Sequence, residues 1–258
     1  MKAVIFAGGL GTRLSEETGV RPKPMVEIGG KPILWHIMKI YEANGINEFV
    51  ICCGYKSHII KEYFANYILH RSDVTFDTAN HSMKVHNNGA EKWKITLVET
   101  GESTLTAGRL RRIKQYIGNE TFCLTYGDGL TDLPIQKVID FHKKEKALVT
   151  LTAVQPPGRF GVFTLEENQT KLTNFQEKPK GDGAWINGGF FVMSPKIFDS
   201  ELSDGVMLEE GPLKALSHSG QLAAYKYTGF WQNMDTLRDK QTLESMWITG
   251  KAPWKVWK

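Results

Sequence analysis

A glycine-rich turn, a hydroxyl and two cations lie close together near the amino end of the chain, in Gly8-Gly9-Leu10-Gly11-Thr12-Arg13 and then Pro22-Lys23-Pro24. These residue types suit the holding of phosphate. Glycines lack the side chains that would keep an anion away, so successive backbone N–H groups can converge on phosphate oxygens. Thr12 adds a neutral donor, Arg13 a planar fork for two oxygens, and Lys23 a compact charge on a flexible stem. The prolines restrict the backbone on both sides of Lys23, so its ammonium is presented from a stiffened segment. Two familiar phosphate loops fail on spacing. A dinucleotide-binding turn needs a third glycine where Leu14 stands, and a P-loop needs Gly-Lys followed by Ser or Thr, which this stretch lacks. A plain strand-to-helix turn with solvated cations is the bland alternative, and Thr12, Arg13 and the Pro-Lys-Pro segment weigh against it.

Other turns carry polar groups. Asp128 stands between Gly127 and Gly129 after an apolar run, where a carboxylate can approach a ligand without crowding; a simple turn is the competing reading. Asp235 ends Trp231-Gln232-Asn233-Met234-Asp235, and it either joins the site or caps the helix that begins near Thr236. Thr104 to Leu110 reads as a helix start with Thr106 as its cap. Glu177-Lys178-Pro179 reads on its own as an exposed charged turn, and Gly188 and Gly189 as places of close backbone approach in a strand.

The elements that must position these residues follow from hydrophobic pattern. Ala3 to Phe6 is a buried strand, and a helix from Pro32 carries Ile33, Leu34, Ile37, Met38 and Tyr41 on one side until Gly45 stops it. Glu48 to Cys53 is a second strand, and Ser57 caps a helix bearing Ile59, Ile60, Tyr63, Phe64 and Tyr67. This β-α-β-α order predicts a parallel sheet. Residues 70–93 are polar and read as a hairpin or long loop. Lys94 to Val98 and Thr121 to Thr125 are strands, with a helix from about Ala107 to Ile117 between them and another around Pro134 to Lys146. Leu148 to Val154, Gly161 to Leu165, Lys171 to Phe175 and Ala184 to Met193 are strands with shorter connections, predicting antiparallel additions to the sheet. Helices near Gly211 to Ser217 and Thr236 to Trp247 follow. The fold expected is α/β: a Rossmann-like mixed, mainly parallel sheet flanked by helices. No repeat or low-complexity linker divides it. We expect one domain over residues 1–258, in two halves of about 1–130 and about 131–258. In open α/β sheets ligands bind beyond the carboxyl ends of the strands, where the polar turns fall.

Composition limits the function classes. The chain has 258 residues, 41% hydrophobic and 23% charged, ordinary values for a globular protein. Its net charge of +4 is spread along the chain apart from Arg109, Arg111, Arg112 and Lys114, which favours small anionic ligands over nucleic acid. Cys52, Cys53 and Cys123 lie in apolar runs and read as buried thiols rather than a disulfide framework, with Cys52 and Cys53 on opposite faces. His81 and His86 read as exposed. The first apolar run ends at Gly8, too short for a signal-peptide core, and no stretch is long enough to span a membrane, so a cytoplasmic location is expected.

Gly8-Gly9-Leu10-Gly11-Thr12-Arg13-Leu14 followed by Arg21-Pro22-Lys23-Pro24-Met25 resembles the signature of the sugar-1-phosphate nucleotidylyltransferases. Ser15-Glu16-Glu17-Thr18 and Val26 to His36 resemble the glucose-1-phosphate cytidylyltransferase branch, and the likeness runs to Gly250-Lys251-Ala252-Pro253-Trp254-Lys255. It implies transfer of CMP from CTP to glucose 1-phosphate, giving CDP-glucose and pyrophosphate. Gly8, Gly9, Leu10, Gly11, Thr12, Arg13, Lys23, Thr104, Gly108, Arg109 and Asp128 would bind the nucleotide. Glu177, Lys178, Asn187 and Gly188 would bind the sugar phosphate, so the resemblance makes about 1–130 the nucleotide-binding half and about 131–258 the sugar-phosphate half. Lys23, Arg13 and Asp128 would be catalytic, and Asp128 and Asp235 would hold magnesium, a number of carboxylates that suits this ion. Ala107 replaces a glycine usual in the branch. Residues 198–211 resemble the family least, and no function is carried onto them. The same reaction with UTP or dTTP is the near alternative. A non-catalytic sensor on this fold would be expected to lack Lys23 or a metal carboxylate, and all three are present. The branch implies a homo-oligomer, with a hexamer suggested; for Trp247, Trp254 and Trp257, packing on their own subunit and a subunit contact are both open.

Overall fold

Three short apolar runs become adjacent strands because neither face of any of them is suited to water. In the computed structural model, which describes residues 1–156, 158, 161–166 and 169–257, Ala3–Phe6 pairs in parallel with both Glu48–Cys53 and Phe122–Tyr126. Lys94–Glu99 extends the sheet beyond Glu48–Cys53, again in parallel. Alternation along the strands feeds two cores: Ala3, Ile5 and Cys53 enter one, Val4, Phe6 and Cys52 the other. All three cysteines are free and buried. Ile33–Ala43 and Ile135–Glu145 cover the first face, Thr106–Arg112 and Pro212–His218 the second.

Past Phe122–Tyr126 the direction changes. Phe191–Met193 runs antiparallel to Phe122–Tyr126 and to Val149–Val154, which also pairs antiparallel with Ile186–Asn187. The strand expected over Ala184 to Met193 is therefore interrupted, and Gly189 and Phe190 there adopt left-handed φ values of 72° and 46°. Leu222–Tyr227, unexpected from the sequence, adds in parallel to Val149–Val154. It escapes notice because its residues alternate between exposed and half-buried, with no fully buried side. Val162–Thr164 and Thr173–Gln176 pair with each other rather than with the main sheet.

Local readings also shift. Residues 70–93 hold a hairpin, Ser72–Asp77 against Ser82–Asn88, and His81 and His86 are exposed. Ser57 does not cap its helix; Lys56, in the left-handed region with φ 48°, is the capping residue and Ser57 is the first helical one. The helix expected over Ala107 to Ile117 is two, Thr106–Arg112 and Lys114–Ile117, and Leu105 rather than Thr106 precedes the first.

Two features tie the carboxyl-terminal part to the rest. Gly129–Thr131 pairs antiparallel with Trp231–Asn233, and Met234 N–H donates to the Asp128 carbonyl at 2.9 Å. After the helix Leu237–Ile248, Trp247, Trp254 and Trp257 pack around His36, and Trp254 is fully buried. These tryptophans thus pack on their own chain. His36 Nε2 donates to the Ile28 carbonyl at 2.9 Å and Nδ1 accepts from Trp254 Nε1 at 3.3 Å. Burial, opposed by the bond to Ile28 and aided by nearby Lys31, holds the imidazole neutral with its pKa lowered to about 4. Among the described residues no helix is long and apolar enough to cross a membrane.

Candidate active site

A cavity of about 450 Å³ opens beyond the carboxyl ends of Ala3–Phe6 and Phe122–Tyr126. Gly8, Gly9, Leu10, Gly11, Thr12, Arg13, Lys23, Thr104, Arg109 and Asp128 all line it, so the two turns proposed for a nucleotide and the Gly-Asp-Gly turn meet at one place. Gly108 lies behind the wall, buried, where an added Cβ would sit 2.5 Å from the Cα of Asp204. That close approach lets residues 204–208 run along the start of Thr106–Arg112, where carbonyls of Asp204 and Val206 accept from Leu105 and Ala107 N–H.

The glycine turn is built on Arg109. This side chain is buried, and its guanidinium donates to the carbonyls of Gly8 (2.9 Å), Cys53 (3.2 Å) and Glu102 (3.2 Å) and to Thr100 Oγ1 (2.7 Å). A Cβ at position 8 would lie 2.0 Å from Arg109 Nη1, so only glycine admits this arginine beneath the loop. Burial, the largest influence, lowers the Arg109 pKa from the ordinary arginine value. These bonds set Arg109, expected to meet nucleotide, beneath the loop as a floor that fixes it, while the side chain still lines the cavity.

Charge gathers on the opposite wall. Lys23 begins a short 3-10 turn, Lys23–Met25, entered from extended Pro22. Its Nζ lies 2.6 Å from Asp128 Oδ2 and 2.6 Å from Asp235 Oδ1. Arg13 Nη1 is 2.7 Å from Asp235 Oδ2, which also accepts from Asn233 Nδ2 at 2.6 Å. Burial pulls the Lys23 pKa down, but Asp128 and Asp235 outweigh it and the net shift is upward, so the ammonium stays charged. Asp235 does not cap the following helix. Thr236 does, through a capping box with Asp239, whose Oδ2 also accepts Asp235 N–H at 3.1 Å. Two carboxylates thus converge on one cation from different parts of the chain, with the lysine ammonium as a stand-in. Such an oxygen-donor pair beside a phosphate-binding loop fits magnesium, which needs only one or two carboxylates. Among the described residues no group of three or more His, Cys, Asp or Glu side chains is placed to hold a metal ion.

The four residues expected to meet the sugar phosphate are not among those lining the cavity. Gly188 is buried, bonded through its N–H to Thr152 and through its carbonyl to Trp231 Nε1. Asn187 is exposed, with its amide 3.4 Å from the Tyr126 hydroxyl. Glu177 and Lys178 are exposed and 3.5 Å apart, and Lys178 adopts a left-handed φ of 46°. The sequence reading missed Tyr126 and Met207, which line the cavity, and Glu209, which bonds to Tyr126. Tyr126 directly precedes Gly127-Asp128 and so had a signal; the other two come from the segment to which no role was given.

Residues 2–232 match the family model described as nucleotidyl transferase. Glucose-1-phosphate cytidylyltransferases of Salmonella typhi and Salmonella typhimurium are each 59% identical to the chain over 258 residues, covering 100% of both partners. A probable glucose-1-phosphate cytidylyltransferase of Bacillus subtilis is 48% identical, also over 100% of both. Among solved structures, a putative glucose-1-phosphate thymidylyltransferase from Bacillus anthracis superposes with a TM-score of 0.70 at 19% identity, covering 95% of this chain and 94% of that one. A UDP-glucose pyrophosphorylase superposes at 0.66 with 17% identity, covering 96% and 98%. At such identities the likeness is one of fold.

Proposed function

The chain belongs to the nucleotidyl transferase family, and from that premise we propose that it transfers CMP from CTP to α-D-glucose 1-phosphate, giving CDP-glucose and pyrophosphate. The full-length likeness to the Salmonella cytidylyltransferases carries this reading. The geometry supports it, since the cavity joins a glycine turn, two cations and two carboxylates.

A phosphate oxygen of glucose 1-phosphate attacks the α-phosphorus of CTP. The bond from that phosphorus to the oxygen bridging to the β-phosphate breaks, and pyrophosphate leaves. No covalent protein intermediate is required, so catalysis rests on alignment and neutralisation of charge. Backbone N–H groups of Gly8 to Thr12 bind the phosphates, with Arg13 on the departing β- and γ-phosphates. Lys23 sits between the attacking and receiving phosphates, where negative charge crowds most. Asp128 and Asp235 would hold magnesium, which supplies further neutralisation of phosphate charge. Thr104 and Gly108, with Arg109 beneath, shape the nucleotide side. By likeness to the branch, Glu177, Lys178, Asn187 and Gly188 would meet the sugar phosphate from the half after residue 130.

The location proposed is cytoplasmic and the assembly a homo-oligomer, a hexamer by likeness to the branch, which light scattering tests directly. The reaction is tested by pyrophosphate release across CTP, UTP, dTTP and GTP with glucose 1-phosphate. CTP is expected to give the highest rate, and preference for another base would overturn the assignment.

A further inference from the structure

Glu209 joins two walls of the cavity. Its Oε1 accepts from the Tyr126 hydroxyl in a close hydrogen bond, and its Oε2 accepts from Thr106 Oγ1 at 3.0 Å. Thr106 Oγ1 in turn accepts the Leu208 N–H at 2.7 Å, which fixes the segment carrying Glu209 to the helix start. Thr106 and Tyr126 both line the cavity, and Glu209 stands half-buried behind them.

This arrangement has a chemical consequence for Tyr126. A phenol has one proton to give and lone pairs to receive with. The proton is committed to Glu209, so the oxygen offers only acceptor capacity to anything else. Among the described residues the donor near it is the Asn187 amide, 3.4 Å away, a long contact that leaves this capacity largely unused. Asn187 is among the residues proposed above for the sugar phosphate, so on that reading the acceptor faces the sugar side of the cavity.

We propose that Tyr126, held as an obligate acceptor by the positioning residue Glu209, reads one hydroxyl of the sugar phosphate and contributes to sugar specificity. The inference deepens the cytidylyltransferase reading and rests on it for the sugar. A pyranose hydroxyl is both donor and acceptor, and a fixed acceptor selects the stereoisomer that brings a donor to it. Sites that hydrogen-bond a substrate hydroxyl discriminate against analogues lacking it.

The test combines kinetics of Tyr126→Phe, Glu209→Ala and Glu209→Gln with 2-deoxy-, 3-deoxy-, 4-deoxy- and 6-deoxyglucose 1-phosphates. Tyr126→Phe is expected to raise KM for glucose 1-phosphate about 3- to 10-fold, the effect of one lost hydrogen bond, with KM for CTP within about twofold. Glu209→Ala should do nearly the same. Glu209→Gln keeps an amide oxygen for Tyr126 and should restore KM to within about twofold of wild type. One deoxy analogue should be penalised in the wild type and no longer in Tyr126→Phe, a coupling that a merely structural role does not produce. Equal penalties for every analogue in both proteins, or equal rises in both KM values, would overturn the proposal. A wild-type preference for another nucleotide would overturn the choice of CTP alone, since the analogue coupling is read on the sugar. Absence of any turnover with glucose 1-phosphate would remove the sugar reading and this inference together.

Discussion

The ammonium of Lys23 lies 2.6 Å from Oδ1 of Asp235, 212 positions later in the chain, and at the same distance from Asp128 Oδ2. A cation already occupies the place where two carboxylates would receive a divalent ion. Removing one partner of such a group leaves the others with unmatched charge.

Lys23→Ala should therefore have opposite effects on two measurements. Turnover should fall on the order of a hundredfold or more, as expected when a donor to transition-state charge is lost. Binding of Mn²⁺ to the nucleotide-free protein, followed by electron paramagnetic resonance, should become tighter because the competing ammonium is gone. Near wild-type turnover in the folded variant would refute the role given to Lys23.

Replacing Asp128 by Asn removes one of the two carboxylates while keeping side-chain size. Most activity should be lost, together with the normal dependence on magnesium. An unchanged magnesium titration would contradict the assignment.

Asp239 holds the backbone of Asp235. Its Oδ2 accepts from the N–H groups of Asp235 and Thr236 and from Thr236 Oγ1. Asp239→Ala should cost about 1–2 kcal/mol in urea unfolding, the range for a lost helix cap, and weaken Mn²⁺ binding. Asp239→Asn, which keeps one acceptor, should be milder in both; an Ala variant with unchanged Mn²⁺ affinity would leave Asp239 a purely structural residue.

His36 predicts a pH dependence of stability. Its folded pKa is about 4 against an ordinary value of 6.5, so the unfolded chain binds the extra proton between these limits. The stabilisation is complete above about pH 6.5 and is lost as the pH falls toward 4, amounting to about 3 kcal/mol. Urea midpoints should drop across this window, with exposure of Trp254 visible in fluorescence. His36→Phe should flatten that part of the profile, even though it loses the bond to Ile28.

Gly8→Ala should disturb Arg109, whose Nη1 would lie 2.0 Å from the new methyl. The arginine must leave the Gly8 carbonyl, and CTP affinity measured by calorimetry should fall about tenfold, the scale of one lost charge-assisted hydrogen bond.

Legibility in the sequence followed burial. Ala3–Phe6 and Glu48–Cys53 were readable because strands buried on both faces must be apolar throughout. Trp231–Asn233 and Gly129–Thr131 were not, because three-residue strands carry no period. Their ladder nevertheless brings Asp235 to Asp128. Ser57 and Thr106 illustrate a further limit: a hydroxyl before a helical run suggests a cap, but the capping positions are Lys56 and Leu105, the Thr106 hydroxyl donates to Glu209, and the Val206 carbonyl accepts the Ala107 N–H. The glycine loop, Lys23 and Asp128 were legible from residue type. Arg109 as a floor and Glu209 as a link were not, since both roles depend on partners distant in sequence.

The antiparallel ladder of Gly129–Thr131 with Trp231–Asn233 also orders events in time. A chain made from its amino end exposes the phosphate loop more than two hundred residues before Asp235 is available. In a chain still being made, the carboxylate pair around Lys23 therefore stays open until Trp231–Asn233 has joined Gly129–Thr131 and carried Asp235 into place.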